Sequence, residues 1–493
     1  MDVTQFDVIV VGAGFGGMGA AIQLKRLGYE NILILDREDD LGGTWHVNHY
    51  PGLAVDIPSP TYSYWFEPNP YWSRLYAPGS ELKTYADHVA DKYDVRRHMR
   101  FNSPVDGARW DEDSQLWHVA LSDGETLSAR FLITATGYLS QAHTPDIPGI
   151  DDFAGRIIHS ADWDDKYSPD GAKIGLIGTG ATAVQLIPQL AKTAADLNVY
   201  QRTPIHVVPK LDFAIPMALR RLCARIPLVQ RAFRFTTDIY LEAMMILSVL
   251  NFKYFRGLNA SASYLSQALR FVSIRDKELR AKLTPDYDFG CKRPTYSNSY
   301  YRMFSRPNVH LQSAGIERIE PDGIVACDGT KSEIDTLVLA TGFDLWEANI
   351  PAIEIIGRDA CNLGKWWREN GFQAYQGVSI PAFPNFLSLA GPYASSGPSF
   401  FDTVEYQMRH MNRLFSELQQ RDATMFEVTE EANARFRERM SKLLGKTVFG
   451  LGDCARSRSY YFSPSGETLV RPASTRQTNR ENDSFPLSDY MIR

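Results

Sequence analysis

A strand–turn–helix unit that occurs twice restricts this chain more than any other feature. "FDVIVVGAGFGGMGAAIQLKRLG" places Gly12, Gly14 and Gly17 as G-x-G-x-x-G between a buried apolar run and a helix that ends near Gly28. The first glycine permits a tight turn and the second lets backbone approach a pyrophosphate. The third lets the helix pack on the strand. The helix N-terminus then offers partial positive charge to the phosphates. "AKIGLIGTGATAVQLIPQLAK" repeats the plan with Gly178, Gly180 and Ala183 as G-x-G-x-x-A. The two second strands end differently, "NILILD" in Asp36 and "LNVYQRTP" in Arg202, each 24 residues after its first glycine. These side chains therefore occupy equivalent places. An acid there bonds ribose hydroxyls and repels a 2′-phosphate, whereas an arginine forks onto one. The first unit suits FAD and the second NADPH.

Two further echoes support the duplication. "FLITATGY" (131–138) and "TLVLATGFD" (336–344) each read as a short buried strand running into Ala-Thr-Gly, returning the chain toward its nucleotide. Each follows a polar, hairpin-like stretch, "SDGETLSAR" and "CDGTKSEID". The predicted fold is α/β, with two Rossmann-like dinucleotide-binding domains and a helical insertion. The expected division is an FAD domain of 1–141 plus 344–493, an NADP domain of 153–210 plus 290–343, and a helical subdomain of 211–289.

Bulk properties exclude several classes. The net charge of −6 argues against a nucleic-acid partner, which calls for a basic face. The cysteines at 223, 291, 327, 361 and 454 form no closely spaced pair, so neither a zinc cage nor a dithiol centre is expected. Reduced cysteines in a cytoplasmic protein are the reading. The first strand begins within a few residues of Met1, with no signal peptide ahead of it. The most apolar run, Ala243–Phe252, is half the ~20 residues a membrane span needs.

Two longer patterns narrow the reaction. "FAGRIIHSADWD" supplies Phe153, Gly155, His159, Trp163 and Asp164, in a stretch that reads as neither helix nor strand. It resembles the F-x-G-x-x-x-H-x-x-x-W-[PD] fingerprint of type I Baeyer–Villiger monooxygenases. "GGTWHVNHYPGLAVD" fills every fixed position of the family pattern [AG]-G-x-W-x4-[FY]-P-[GM]-x3-D with Gly42, Gly43, Trp45, Tyr50, Pro51, Gly52 and Asp56. The resemblance covers nearly the whole chain. It implies that NADPH, O2 and a flavin C4a-peroxide insert one oxygen next to a ketone carbonyl, giving an ester or lactone.

The resemblance also implies roles. Arg293 in "CKRPTYSNSYY" would be catalytic, because a peroxyanion needs a positive charge that cannot lose its proton. Asp56 would orient that arginine from near the flavin. Thr44, Trp45 and Tyr62 join Gly12, Gly14, Gly17, Asp36 and Asp56 on the cofactor side. Thr179, Gly180, Ala181, Thr182, Ala183 and Gln185 would cradle the NADPH pyrophosphate, while Gln201, Arg202, Thr203 and Lys292 would lie around its 2′-phosphate end. In the fingerprint, Gly155 would permit a turn and Phe153 and Trp163 would anchor by burial. His159 would couple domain motion to the nicotinamide from behind the active site. No metal is implied.

Between Pro209 and Asp288 the spacing becomes helical, with Arg220, Arg221, Arg225, Arg231 and Arg234 ahead of the apolar run. A core-packed helix pair with a solvated basic face is one reading. The other is peripheral membrane contact through 215–256, collecting lipophilic ketones. The loop "GPYASSGPSF" would line the substrate pocket. The N-terminal extension of many members is missing, which leaves its part in substrate choice or subunit contacts open, as is the oligomeric state. Two alternatives to the main reading stand: an S- or N-oxygenating flavin monooxygenase, and a non-catalytic flavoprotein redox sensor.

Overall fold

The computed structural model of the chain describes residues 5–346, 348–395, 399–468 and 470–493. Each glycine unit seeds its own largely parallel sheet. In the first, Gln5–Val11 pairs in parallel with Ile32–Leu35 on one side and Thr126–Thr134 on the other. Val8, Ile9 and Val10 are fully buried, as a strand covered on both faces requires. The sheet has eight strands in the order Glu354–Ile356, Val105–Asp111, Leu116–Leu121, Thr126–Thr134, Gln5–Val11, Ile32–Leu35 and Met99–Arg100, with Phe386–Ser388 joined to Thr126–Thr134. The second sheet has five parallel strands: Val309–Gln312, Asp196–Tyr200, Lys173–Ile177, Thr336–Leu339 and Arg156–His159.

The two Ala-Thr-Gly returns do the same job in each unit. Gly12 has φ +112°, and a Cβ there would lie 2.5 Å from the Ala135 carbonyl oxygen. Gly178 has φ +124°, and its Cβ would lie 2.3 Å from the Ala340 carbonyl oxygen. Only glycine combines that φ with such a close approach.

Two expectations need correction. The fingerprint stretch is not irregular throughout, because Arg156–His159 is the edge strand paired with Thr336–Leu339. Four residues pairing with a partner some 180 positions away leave no local periodicity to read. Nor are all cysteines reduced, since Cys291 and Cys454 form a disulfide with Cα atoms 5.1 Å apart. They are 163 residues apart in sequence, so spacing carried no sign of it.

The inserted segment forms helices Met217–Arg225, Pro227–Met245, Arg256–Ser273 and Lys277–Lys282. The helix Pro227–Met245 crosses the 59–64 segment. Arg234 donates to the Ser63 and Tyr64 carbonyls at 3.0 and 3.2 Å, and the Thr237 and Thr61 hydroxyls are 2.8 Å apart. The apolar run 243–252 turns inward. Val249, Leu250 and Phe252 pack with Tyr287, Val448 and Phe449 around the disulfide. Ser399 caps helix Phe400–Arg421 by accepting from the Phe401 amide; residues 396–398 of the expected pocket loop lie outside the described residues.

Candidate active site

Both glycine units are shaped for a phosphate. The helices Phe15–Arg26 and Ala181–Leu190 start at Gly14 and Gly180, and among the described residues no side chain caps either start. Those N–H groups stay free for a ligand. A Cβ on Gly17 would fall 1.9 Å from the Gly12 carbonyl oxygen, whereas one on Gly180 would meet nothing within 4 Å. Gly17 is needed for helix–strand contact, and Gly180 faces open space. The Asp36 carboxylate accepts from the Ala13 amide at 2.6 Å and the Glu38 amide at 3.0 Å. It therefore fixes the glycine turn from the strand end where a ribose would lie.

In the second unit, Thr179 donates to the Thr203 carbonyl at 2.8 Å, tying the glycine turn to the strand end. Ala183 is fully buried, while Ala181 is exposed and Thr182 and Gln185 are half-buried. Gln201 donates to the Lys282 carbonyl at 2.7 Å, and its buried Oε1 has no partner among the described residues. Arg202 is exposed and, like Lys292, makes no hydrogen bond or ion pair among the described residues. Burial and the Arg202 charge together push the Lys292 ammonium down to about 8. Partial desolvation by the surrounding protein, and the charge of Arg458, lower Arg202 in turn. Arg202, Lys292 and Arg458 thus gather at the end of this strand with no ion-pair partner among the described residues, the electrostatics that suit a phosphate. Arg458 was not legible in the sequence, since it sits in an irregular tail segment with no motif around it.

The 42–56 segment straps the two units together. Trp45 donates to the Tyr62 hydroxyl at 3.2 Å and meets its ring edge-on at 5.5 Å; the adjoining Thr44 is exposed. Tyr50 donates to Gln185 Oε1 at 2.9 Å, and Gln185 Nε2 donates to the Ala54 carbonyl at 2.9 Å. Gly52, at φ +87°, lies so close to the same helix that a Cβ would be 2.9 Å from the Gln185 carbonyl oxygen. A long motif of the first unit is thereby locked onto the helix of the second.

The strap ends at Asp56, which accepts two hydrogen bonds from Arg293, from Nε at 2.5 Å and from a terminal nitrogen at 2.9 Å. The pair is the bidentate fork expected of arginine and carboxylate. Burial opposes ionisation of Asp56, but the Arg293 charge overrides it and holds the carboxyl below its ordinary range. Asp56 in turn drives the guanidinium pKa far upward. The result is a permanent, oriented positive charge. Tyr62, Tyr76, Tyr296, Tyr240, Tyr460 and Tyr461 all feel this pair or one another, and Lys210 lies 4.7 Å from the Tyr76 ring centroid. Tyr240 comes from the inserted helix, so the insert contributes to the wall. Of these tyrosines only Tyr62 was expected beside the cofactor, and Tyr296 follows Arg293 in the same stretch.

In the fingerprint, Phe153 and Trp163 are buried in two separate apolar clusters, the former with Ile319 and Leu337, the latter with Ile158 and Leu176. Gly155 is required by space rather than by a turn: a Cβ would lie 2.3 Å from the Asp335 carbonyl oxygen and 2.6 Å from the Phe153 ring. Asp164 accepts from the Lys166 amide at 2.9 Å and pairs with Arg156 at 3.2 Å. Burial lowers the His159 pKa, so the ring is neutral at pH 7. Its Nδ1 accepts from the Ala161 amide at 3.1 Å, which leaves the proton on Nε2, 3.3 Å from the Thr341 hydroxyl. Thr341 follows the Ala340 carbonyl that faces Gly178. His159 therefore braces the return turn of the second unit from behind.

Comparison with known proteins agrees with this arrangement. Residues 6–225 match the family described as pyridine nucleotide-disulphide oxidoreductase, although the chain has no closely spaced cysteine pair. The chain is 35% identical to a Baeyer-Villiger monooxygenase of Streptomyces coelicolor, over 98% of this chain and 92% of the other. It is similar to the closed crystal structure of cyclohexanone monooxygenase, with a TM-score of 0.87 and 27% identity over 100% of this chain and 99% of that one. A complex of OTEMO with FAD and NADP superposes with a TM-score of 0.86 and 28% identity, covering all of both chains.

Proposed function

The chain belongs to the Baeyer–Villiger monooxygenase family, and from that premise we propose how its own residues divide the work. It is an FAD- and NADPH-dependent oxidoreductase that turns a ketone, O2, NADPH and a proton into an ester or lactone, NADP+ and water. One oxygen atom enters the bond beside the carbonyl, and the other leaves as water with the hydride and the proton. Bound FAD, once reduced, supplies the activated oxygen.

In this reading Gly12, Gly14, Gly17 and Asp36 hold FAD, with Thr44, Trp45 and Tyr62 beside it. Gly180 and the 179–185 turn receive the NADPH pyrophosphate, while Arg202, Thr203, Lys292 and Arg458 surround its 2′-phosphate. Gln201 shapes that end by anchoring the insert. The single observation that carries the assignment is the forked Asp56–Arg293 pair at the meeting of the two units. Arg293 presents a charge that cannot deprotonate to the carbonyl oxygen as negative charge grows on it. Asp56 is a positioning residue, keeping the guanidinium plane fixed before substrate arrives. The division into 1–141 plus 344–493 for FAD, 153–210 plus 290–343 for NADP, and 211–289 as helical insert is supported by how the strands sort between the two sheets.

The substrate is a lipophilic ketone, supported by the tyrosine-rich surroundings of Arg293, and 215–256 contributes a peripheral membrane contact. The test is mass spectrometry of products from a ketone panel incubated with the FAD-loaded enzyme, NADPH and isotopically labelled O2. One labelled oxygen in an ester is expected. Sulfoxides or N-oxides from sulfide and amine controls, with every ketone unchanged, would replace the reading.

A further inference from the structure

The inserted segment carries an unusual surface. Of 22 large hydrophobic side chains that are exposed among the described residues, 16 lie between Leu211 and Val272. Leu228, Tyr264 and Val272 are 74%, 69% and 76% exposed. Patches of this kind on a soluble surface mark a place where something docks. The apolar run at 243–252 is not the source, because its second half is core. The exposed residues sit on either side of it. On helix Pro227–Met245, Leu228, Arg231, Phe235 and Ile239 recur at the spacing of one helical stripe. On helix Arg256–Ser273, Leu258, Leu265 and Val272 form a second stripe.

The charge of this segment is as lopsided as its exposure. Residues 213–275 hold nine Lys or Arg against two carboxylates, a net charge of +7 in a chain whose total is −6. Both carboxylates are engaged within the molecule: Asp238 pairs with Arg234, and Glu242 accepts from the Thr475 amide. Arg220, Arg234 and Arg270 are likewise satisfied by protein groups. The other six, Arg221, Arg225, Arg231, Lys253, Arg256 and Arg275, are exposed and form no ion pair among the described residues.

We propose that these helices dock the enzyme on the surface of an anionic lipid bilayer, with the apolar stripes entering the headgroup boundary and the six free cations meeting lipid phosphates and carboxylates. Apolar stripes flanked by unpaired arginines are the composition that interfacial helices use, and each cation near an anionic leaflet adds to binding. No helix among the described residues is long and apolar enough to cross a membrane, so the contact is peripheral. A second copy of the chain fits less well. A two-fold interface would press one net-positive surface against another, with both carboxylates of 213–275 already engaged within the molecule. The proposal gives the contact named above its extent and its lipid chemistry. Its consequence, capture of a lipophilic ketone beside Tyr240, rests on the oxygenase reading, but the binding itself does not.

The test is flotation of the FAD-loaded full chain with vesicles of phosphatidylcholine alone or of phosphatidylcholine with phosphatidylglycerol, in low salt. Binding to the anionic vesicles alone, reversed by high salt, is expected. The combined change Arg221→Gln, Arg225→Gln and Arg231→Gln should weaken it roughly a hundredfold, at about tenfold or less per cation. Leu228→Ser with Phe235→Ser should weaken it further. NADPH oxidation with a small water-soluble ketone should be unchanged in these variants, which separates loss of docking from loss of the oxygenase. Absence of binding to either vesicle overturns the proposal. So does a concentration-dependent dimer by light scattering that the same substitutions abolish, which would assign the face to a second copy.

Discussion

In an Arg293→Ala enzyme, NADPH should still reduce the flavin while ester formation fails. The guanidinium is held by two charge-assisted hydrogen bonds to Asp56, at 2.5 and 2.9 Å. A unit charge about 4 Å from a developing oxyanion contributes ~4 kcal/mol at an effective dielectric near 20. Removal of one donor at such a site typically costs ~10²–10³ in turnover. The Arg293 and Asp56 side chains are 34% and 29% exposed, so water screens part of the field. That places the expected loss of ester formation near 10²-fold. Arg293→Lys keeps a charge but loses the fork, for a loss of roughly tenfold, the equivalent of one charge-assisted hydrogen bond. The assay follows three quantities in one reaction: NADPH consumed, hydrogen peroxide released and ester formed. On the proposed assignment NADPH is held by Arg202, Thr203, Lys292 and the 178–183 turn, all of which the change leaves in place. Anaerobic flavin bleaching should therefore persist, and peroxide should account for the NADPH used. Asp56→Ala should give the same pattern more weakly. An Arg293→Ala enzyme with wild-type ester yield per NADPH would refute the argument.

Arg202→Ala should reduce the preference for NADPH over NADH by about 10- to 100-fold, chiefly through KM, with Arg458→Ala shifting it the same way by less; steady-state kinetics with both cofactors checks this. The KM for NADPH should rise as pH climbs through about 8, because the phosphate favours protonated Lys292 and that ammonium loses its proton there in the free enzyme. Lys292→Gln should flatten the profile at a uniformly higher KM. Gly12→Ala forces a Cβ to 2.5 Å from the Ala135 carbonyl at a φ of +112°, so the protein should emerge without FAD or fail to fold. Gly178→Ala, with the same clash in the other unit, should keep its yellow colour yet lose reduction by NADPH, as absorbance spectra would show.

What the sequence disclosed was whatever depends on local backbone geometry. The two glycine turns, the residues at their strand ends and the Ala-Thr-Gly returns are read from spacing alone, because each spacing is set by one turn of chain meeting one phosphate. Asp56 and Arg293 came from pattern, and only the fold shows that 237 residues of separation close into a fork. The edge strand Arg156–His159 was missed because its pairing partner, not its own residues, makes it a strand. Arg458 and the tyrosines of the wall other than Tyr62 were missed for the same reason: they are brought in by the packing of distant segments. Helical spacing in the insert was plain, but periodicity does not say which stripe faces water. The structure reversed the obvious choice by burying the most apolar run.

The bridge between Cys291 and Cys454 makes part of this chain a closed ring of covalent bonds. It is buried, and it fastens the residue two places before Arg293 to the segment carrying Arg458 and Tyr460. A loop of 163 residues closed in this way stabilises the fold by about 5 kcal/mol if loop entropy alone counts. A protease that nicks any exposed turn between those two positions would therefore release nothing. The two pieces should travel as one band on a non-reducing gel and separate once a thiol reductant has opened the ring. With the ring open, the ends of the nicked loop are free to part, and Arg293 goes with one of them.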